Sequence, residues 1–464
     1  MSSILSATSI DRFLQTTVDA TPDSPRVGGA PTVEAIGRRF EELGLRPGDL
    51  ILFCLPNGVP LLQHFFGVLL AGFVPALVAP GTPSVRLQEL ARLLSARAIA
   101  APRLNPAALG ATRKEALEPL EVALFENPAP SLTEPGEAVL LTSGTSGFAS
   151  GCVFGIDQLL LNAERHAESI GQLPDDAVLV SLPLYYSFAL VAQTLGTLVS
   201  GGRLVIDGPP FHAERYARTI SEHGITISSL TPILARSLLQ SDVALNGDLR
   251  VLTVGGDALA PEHVSRLLKR LPGKELYLTY GLTQAGPRVS TLAAHREPPF
   301  RFGSVGLPLA GTTVSLEQFG ADGQLRQLLV SSKTVMRRRI GLVEGHSAPA
   351  GPLPGTVATG DIFEQDADGF LYFIGRISDF IIRRGEKISL AAIRRVAMQL
   401  PDVLAARTEI VRSETGEEDY ELTLILSARR SDCADLLRRQ LRQAEIPGAI
   451  LTEVSEQALT RQHK

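Results

Sequence analysis

Cysteine is scarce in this sequence and tryptophan is missing altogether. The three cysteines, Cys54, Cys152 and Cys433, lie far apart; they match no metal-ligand spacing and leave one thiol over in any disulfide scheme. A disulfide-stapled scaffold is excluded, and a reducing, cytoplasmic setting is expected. Basic charge is not in excess either. Lys and Arg number 44 against 49 Asp and Glu, a net charge of -5, so no polyanion-binding surface and no nucleic-acid partner are expected. No stretch offers about 20 unbroken apolar residues. Residues 64–85 are interrupted by Pro75, Pro80 and Pro83, and residues 177–202 by Pro183, Gln193 and Gly196, so no membrane span is predicted. The segment Met1 to Gln15 lacks a basic start followed by an apolar run, and a secretory signal is not predicted.

What is there is the composition of a globular chain, 44% apolar and 20% charged over 464 residues, long enough for two or three domains at roughly 150 residues each. Apolar runs alternate with helical patterns from about residue 30 to about 375. Strands are predicted at 51–55, 75–78, 177–182, 202–206, 225–229 and 249–254, with helices at 61–70 and 84–96. That alternation implies α/β layering, and so many strands require several sheets. Beyond Asp379 the pattern changes to a short helix at 390–400, two strands around the acidic turn 414–419, and an Arg-rich helix near 435–444.

The most informative stretch is Leu141-Thr-Ser-Gly-Thr-Ser-Gly147, entered from the apolar Ala138-Val-Leu-Leu141. A strand feeding a loop of glycines and hydroxyl residues turns consecutive N–H groups and hydroxyls toward an anion, because glycine accepts the backbone angles this needs. No Gly-Lys-Ser/Thr follows, so it is not a Walker loop. Read alone, it also suits a Ser/Gly surface loop. Downstream come Val254-Gly-Gly-Asp-Ala-Leu259, Tyr280-Gly-Leu-Thr-Gln284, Gly303-Ser-Val-Gly-Leu-Pro308, Thr359-Gly-Asp361 and Gly375-Arg-Ile-Ser-Asp379.

In this order and spacing the blocks resemble those of the adenylate-forming superfamily, which includes acyl-CoA synthetases, aryl-CoA ligases and peptide-synthetase adenylation domains. The resemblance runs from about residue 30 to Lys464. It implies a large multi-sheet α/β N-terminal domain, 1–377, holding nucleotide and acid, and a small mobile α+β lid, 378–464, turning about Ser378. Thr142, Ser143, Gly144, Thr145 and Gly147 match the nucleotide phosphate loop. Gly256, Asp257 and Ala258 match the segment beside the base, Tyr280 the aromatic that stacks on adenine, and Thr283 the hydroxyl at the α-phosphate. Asp361 matches the ribose carboxylate, and Arg376 the ribose and phosphate arginine. Taken singly, Tyr280 is equally a packed core ring and Asp361 a turn aspartate. Pro183-Leu-Tyr-Tyr-Ser-Phe-Ala189 resembles the block that commonly reads Pro-Leu-Phe-His. It puts Tyr186 at the gate of an acid pocket lined near Val254 and Gly281, although core packing accounts for this aromatic cluster as well. Ala458-Leu-Thr-Arg-Gln-His-Lys464 matches the closing motif and puts Lys464 on the catalytic lysine, with the chain's own carboxylate beside its ammonium.

Two departures stand out. Where the family loop continues Gly-x-Pro-Lys-Gly, this chain has Gly147-Phe-Ala-Ser-Gly151, so Ser150 takes the lysine position and a cation near the pyrophosphate is lost. Gln284 replaces the glutamate that partners magnesium, leaving a neutral oxygen for a hard cation. The expected activity is ATP- and Mg2+-dependent activation of a small carboxylic acid as acyl-adenylate. Transfer to the thiol of coenzyme A, or to the pantetheine of an acyl carrier protein, would follow. An amine acceptor, or a non-catalytic adenylate-binding role suggested by Ser150 and Gln284, are the alternatives, and a homodimer stays open. Cys152, beside the loop, reads as a small packed side chain rather than a reactive thiol.

Overall fold

The computed structural model describes residues 4–21, 31–126, 131–142, 150–245, 247–319, 325–341, 354–383, 386–412, 418–427 and 432–454. Two eight-stranded sheets and one four-stranded sheet build the large N-terminal part. In one large sheet, parallel strands Arg203–Ile206, Ala177–Val180, Ile227–Leu230, Val251–Gly255 and Glu275–Gly281 lie side by side. The chain then reverses into Arg288–Ala293. The other centres on Val74–Leu77 and Leu50–Phe53, both buried along their whole length. Strands covered on both faces read as continuous apolar runs, and this is why the sequence marks them. Helices Val59–Leu70 and Ser84–Leu93 fall where predicted, the latter ending three residues early. One apolar core joins the two large sheets through Phe40, Phe53, Phe65 and Phe66 on one side and Leu179, Leu190 and Leu252 on the other.

The third sheet, Thr312–Phe319, Leu325–Ser332, Thr356–Gln365 and Leu371–Arg376, is antiparallel. Its apolar residues Leu328, Val330, Phe363 and Leu371 pack with Tyr280 and Val289 of the first sheet. The small C-terminal part is β-rich: a hairpin at Phe380–Arg383 and Glu386–Ser389, and a sheet of Val403–Arg412, Glu418–Leu426 and Ala449–Val454. Helices Leu390–Ala397 and Cys433–Gln440 complete it. It has its own core, formed by Ile388, Ile393, Tyr420, Leu424 and Leu437 among others. All three cysteines are buried, and burial pushes the Cys152 thiol up to about 12, so it is inert packing. Among the described residues no helix is long and apolar enough to cross a membrane.

Strands Glu137–Thr142 and Ser150–Gly155 pair antiparallel, and Arg338–Ile340 extends the sheet beyond them. This edge is fixed by Glu137, whose side chain is fully buried. Arg338 grips it with Nη1 at 2.8 Å and Nη2 at 2.6 Å, and Arg337 adds a bond at 3.3 Å. Burial alone would raise this carboxyl, but the arginines and the Glu134 N–H bring it below the usual glutamate range. Glu137→Ala should cost about 3 kcal/mol, near the low end for breaking a buried pair, because the arginines left behind reach solvent. The stabilisation is complete above the ordinary glutamate pKa and is lost as pH falls through the lowered folded value. Urea melts should therefore show the variant's deficit at pH 7 shrinking at pH 3.

Candidate functional site

A cavity of about 730 Å³ opens between the end of the first sheet and the C-terminal part, within the roughly 300–1,000 Å³ of small-molecule sites. It collects residues that lie far apart in the chain. Thr142, Gly256, Asp257 and Ala258 line it, as do Thr283, Gln284 and Arg376. Tyr186 and Gly281 line it too, next to Phe188 and Ser187.

Local structure explains the placement. Gly256 follows the strand Val251–Gly255 with φ 95°, a conformation open to glycine, and so turns the chain along the cavity. Thr283–Ala285 forms a single 3-10 turn at the tip of a loop whose base is the pair Gly281 and Arg288. Gly286 closes that loop at φ 100°, where a Cβ would collide with the Thr334 carbonyl oxygen. The Tyr186 block is pinned by Asn57. Its amide donates to the carbonyls of Leu182 at 2.9 Å and Gly208 at 2.8 Å and accepts from the Leu184 N–H at 2.9 Å. Just beyond, Phe188–Leu195 coils as a π-helix, a rare form that is frequent at functional sites. The Ser187 and Thr283 hydroxyls stand 3.4 Å apart, joining block and loop tip. Burial raises the phenols of Tyr185 and Tyr186, so both remain neutral at ordinary pH.

Three motif residues meet directly. The Tyr280 hydroxyl donates to Asp361 Oδ2 at 2.6 Å, and Arg376 Nε lies 3.3 Å from Asp361 Oδ1. Asp361 and Arg376 face each other across paired strands. Tyr280 and Asp361 are both buried, Tyr280 in an edge contact with Phe363 at 4.8 Å. The tyrosine ring is therefore packed in the core in this structure, and neither residue lines the cavity. Burial raises the Asp361 carboxyl despite Arg376 and the Tyr280 hydroxyl. Val254 is buried in its strand and also does not line the cavity. Ser378 is exposed in the turn Ile377–Asp379, where Asp379 accepts from the Arg376 N–H and pairs with Arg394. Ser143, Gly144, Thr145, Gly147 and Lys464 lie outside the described residues.

The sequence profile of the AMP-binding enzyme family matches residues 31–338. The chain belongs to this family of AMP-binding enzymes. It is 31% identical over 321 residues to 2-succinylbenzoate–CoA ligase of Bacillus licheniformis, an alignment spanning 67% of this chain and 65%, just under two thirds, of that protein. Over 455 residues it is 27% identical to sulfoacetate–CoA ligase of Cupriavidus necator, covering 90% and 87% of the two chains. The fold is similar to that of o-succinylbenzoate coenzyme A synthetase from Bacillus subtilis solved with its acyl-adenylate intermediate. The TM-score is 0.76 at 19% identity, over 96% of this chain and 94% of that one.

In this AMP-binding enzyme Ser150, at the position of the family's loop lysine, touches a guanidinium from another strand. Arg339 Nε donates to Ser150 Oγ at 2.8 Å and Nη2 reaches Thr142 Oγ1 at 3.4 Å; the two hydroxyls are 2.9 Å apart. Sequence reading missed this contact, although the run Arg337-Arg338-Arg339 was visible. Among the described residues the cavity is lined by six arginines, Arg236, Arg288, Arg376, Arg394, Arg395 and Arg407, and by one carboxylate, Asp257. Gln284 lines it as a neutral amide, and no group of three His, Cys, Asp or Glu able to hold a metal occurs among the described residues. Replacing Tyr280 by Phe should cost about 1.5–3 kcal/mol, the range for a hydrogen bond to a charged group. It should also raise the Asp361 pKa further, measurable by urea melts and by carboxyl NMR titration.

Proposed function

We propose that this AMP-binding enzyme activates a small carboxylic acid with Mg·ATP and passes the acyl group to the thiol of coenzyme A. The observation that carries the reading is the cationic cavity, which brings Thr142, Gly256 to Ala258, Thr283 and Arg376 together from separate parts of the chain. In the first step a carboxylate oxygen attacks the α-phosphorus. A P–O bond forms, the bond to the β-phosphate oxygen breaks, and pyrophosphate leaves. In the second step the thiolate sulfur attacks the acyl carbon, AMP departs with the former carboxylate oxygen, and a thioester remains. No covalent enzyme intermediate is needed; the protein acts by positioning and by stabilising negative charge.

The Thr283 hydroxyl, at the loop tip, is suited to the α-phosphate. Asp361, with two acceptor oxygens, suits the ribose hydroxyls once Arg376 and Tyr280 yield room. Arg339, set on Ser150 and Thr142, takes over the role of the lysine lost from the phosphate loop. Arg394, Arg395 and Arg407 come from the C-terminal part, so the field changes when that part turns about Ser378. Coenzyme A is favoured as acceptor by the CoA ligases among the relatives; pantetheine on a carrier protein presents the same thiol. The non-catalytic alternative loses much of its motivation once Arg339 is in place.

Pyrophosphate release across a panel of acids, followed by thioester formation with coenzyme A, tests the reading. Release with no acid, while AMP still binds, would reject it. Arg339→Gln should slow adenylation by about 100-fold, the scale of one preorganised charge-stabilising donor. ATP affinity should fall more than AMP affinity in paired calorimetric titrations.

A further inference from the structure

Arg288 stands apart from the other arginines of the cavity. It is 3% exposed, yet it lines the cavity, and its guanidinium carbon sits 3.6 Å above the centroid of the Phe188 ring. Nε and Nη2 are both buried without a hydrogen-bond partner, and no carboxylate pairs with it among the described residues. The neighbouring His166 adds no second positive charge, since burial and Arg288 itself hold its ring neutral. With nothing to offset desolvation, the guanidinium is pulled down to about 9, so it is still a cation at neutral pH.

Its position is not accidental to the chain path. Asn162, buried in the helix Ile156–Ser169, donates to the Arg288 carbonyl at 2.9 Å and accepts from the Arg288 N–H at 2.9 Å. That clasp fixes the strand at this residue. Arg288 lies at the base of the loop whose tip carries Thr283, so the cavity runs from a nucleotide-facing end to a cationic floor beside Phe188. An unpaired buried charge is strongly unfavourable, whereas the same charge opposite an anion in a dry pocket gives both affinity and orientation.

We propose that Arg288 receives a second anionic group on the acid, so that the substrate class is a carboxylic acid bearing a further carboxylate or sulfonate remote from the reacting one. This rests on the acid-activating reading above and narrows it. The planar fork of the guanidinium offers two parallel donors to such an oxyanion, and the Phe188 face keeps the fork oriented. The uncharged part of the acid would pass Tyr186 and Gly281.

The test uses the full chain and matched acids: succinate with butyrate, glutarate with valerate, 3-sulfopropionate with butyrate, and phthalate with 2-methylbenzoate. Pyrophosphate release should favour the dianionic member of at least one pair by about 100-fold in kcat/KM, the scale of a buried charge pair. Arg288→Met should collapse that ratio to within a few-fold, and Arg288→Lys should restore part of it. The ligand-free Arg288→Met protein should melt at a higher temperature than wild type, because an apolar chain replaces an uncompensated charge. Equal use of both members of every pair, or a proportional loss of both in Arg288→Met, would overturn the proposal. So would a loss of AMP affinity in Arg288→Met as large as the loss of diacid affinity. If no acid releases pyrophosphate, the enzymatic reading fails by itself. Calorimetry with the same pairs in the presence of AMP then decides the proposal: tighter diacid binding that disappears in Arg288→Met supports it, and its absence overturns it.

Discussion

Among the described residues six guanidiniums and one carboxylate line a single cavity, and although Asp361 and Asp379 pair with two of the arginines, the excess of positive charge is the feature that the surrounding structure holds in place. Asn162 fixes Arg288 through its backbone. Arg236, almost wholly buried, donates from Nε to the Leu404 carbonyl at 2.6 Å and so ties the helix Pro232–Gln240 to the C-terminal part. Desolvation pulls Arg236 down to about 10, with Asp257 opposing the shift. At the far edge Glu137 pairs with Arg337 and Arg338, while the next residue, Arg339, turns toward Ser150 and Thr142. An anionic ligand bound at such a site would stabilise the folded protein by mass action.

This charge distribution also suits the chemistry. Activation of a carboxylate by ATP brings two anions together, and repulsion between them is the first obstacle. Preorganised cations lower such a barrier without reorganising at the moment of reaction. Cations contributed by the C-terminal part, Arg394 and Arg407 among them, belong to a unit with its own core. Motion of that unit can therefore change the field without disturbing the packing of the large sheets.

The fold was legible where burial is two-sided. Strands such as Leu50–Phe53 and Ala177–Val180 are apolar throughout and bounded by turns, so their pattern is unambiguous. The antiparallel sheet around Thr312–Phe319 escaped because that strand alternates half-buried and exposed positions carrying mostly polar residues. The hairpin Phe380–Arg383 with Glu386–Ser389, and the final strand Ala449–Val454, are short or exposed and carry little signal. At the site, motifs compressed into a few consecutive residues were found, because their glycines and hydroxyls have few other uses at that spacing. Arg339 and Arg288 were not. Each contacts a partner distant in sequence, Ser150 or Phe188, and one sequence does not reveal such pairs. The packing of Tyr280 onto Asp361 likewise depends on tertiary contacts, because either residue alone has an ordinary structural explanation.

In the proposed reaction a carboxylate oxygen attacks the α-phosphorus of ATP in this cavity. Positional isotope transfer tests it most directly: an acid that supports pyrophosphate release is supplied with 18O in its carboxylate, and AMP and pyrophosphate are analysed by mass spectrometry after thioester formation. The account predicts one labelled oxygen in AMP and none in pyrophosphate. Unlabelled AMP with label in pyrophosphate, or ADP beside labelled orthophosphate, would contradict it, because the acid would then have been activated at the β- or γ-phosphorus.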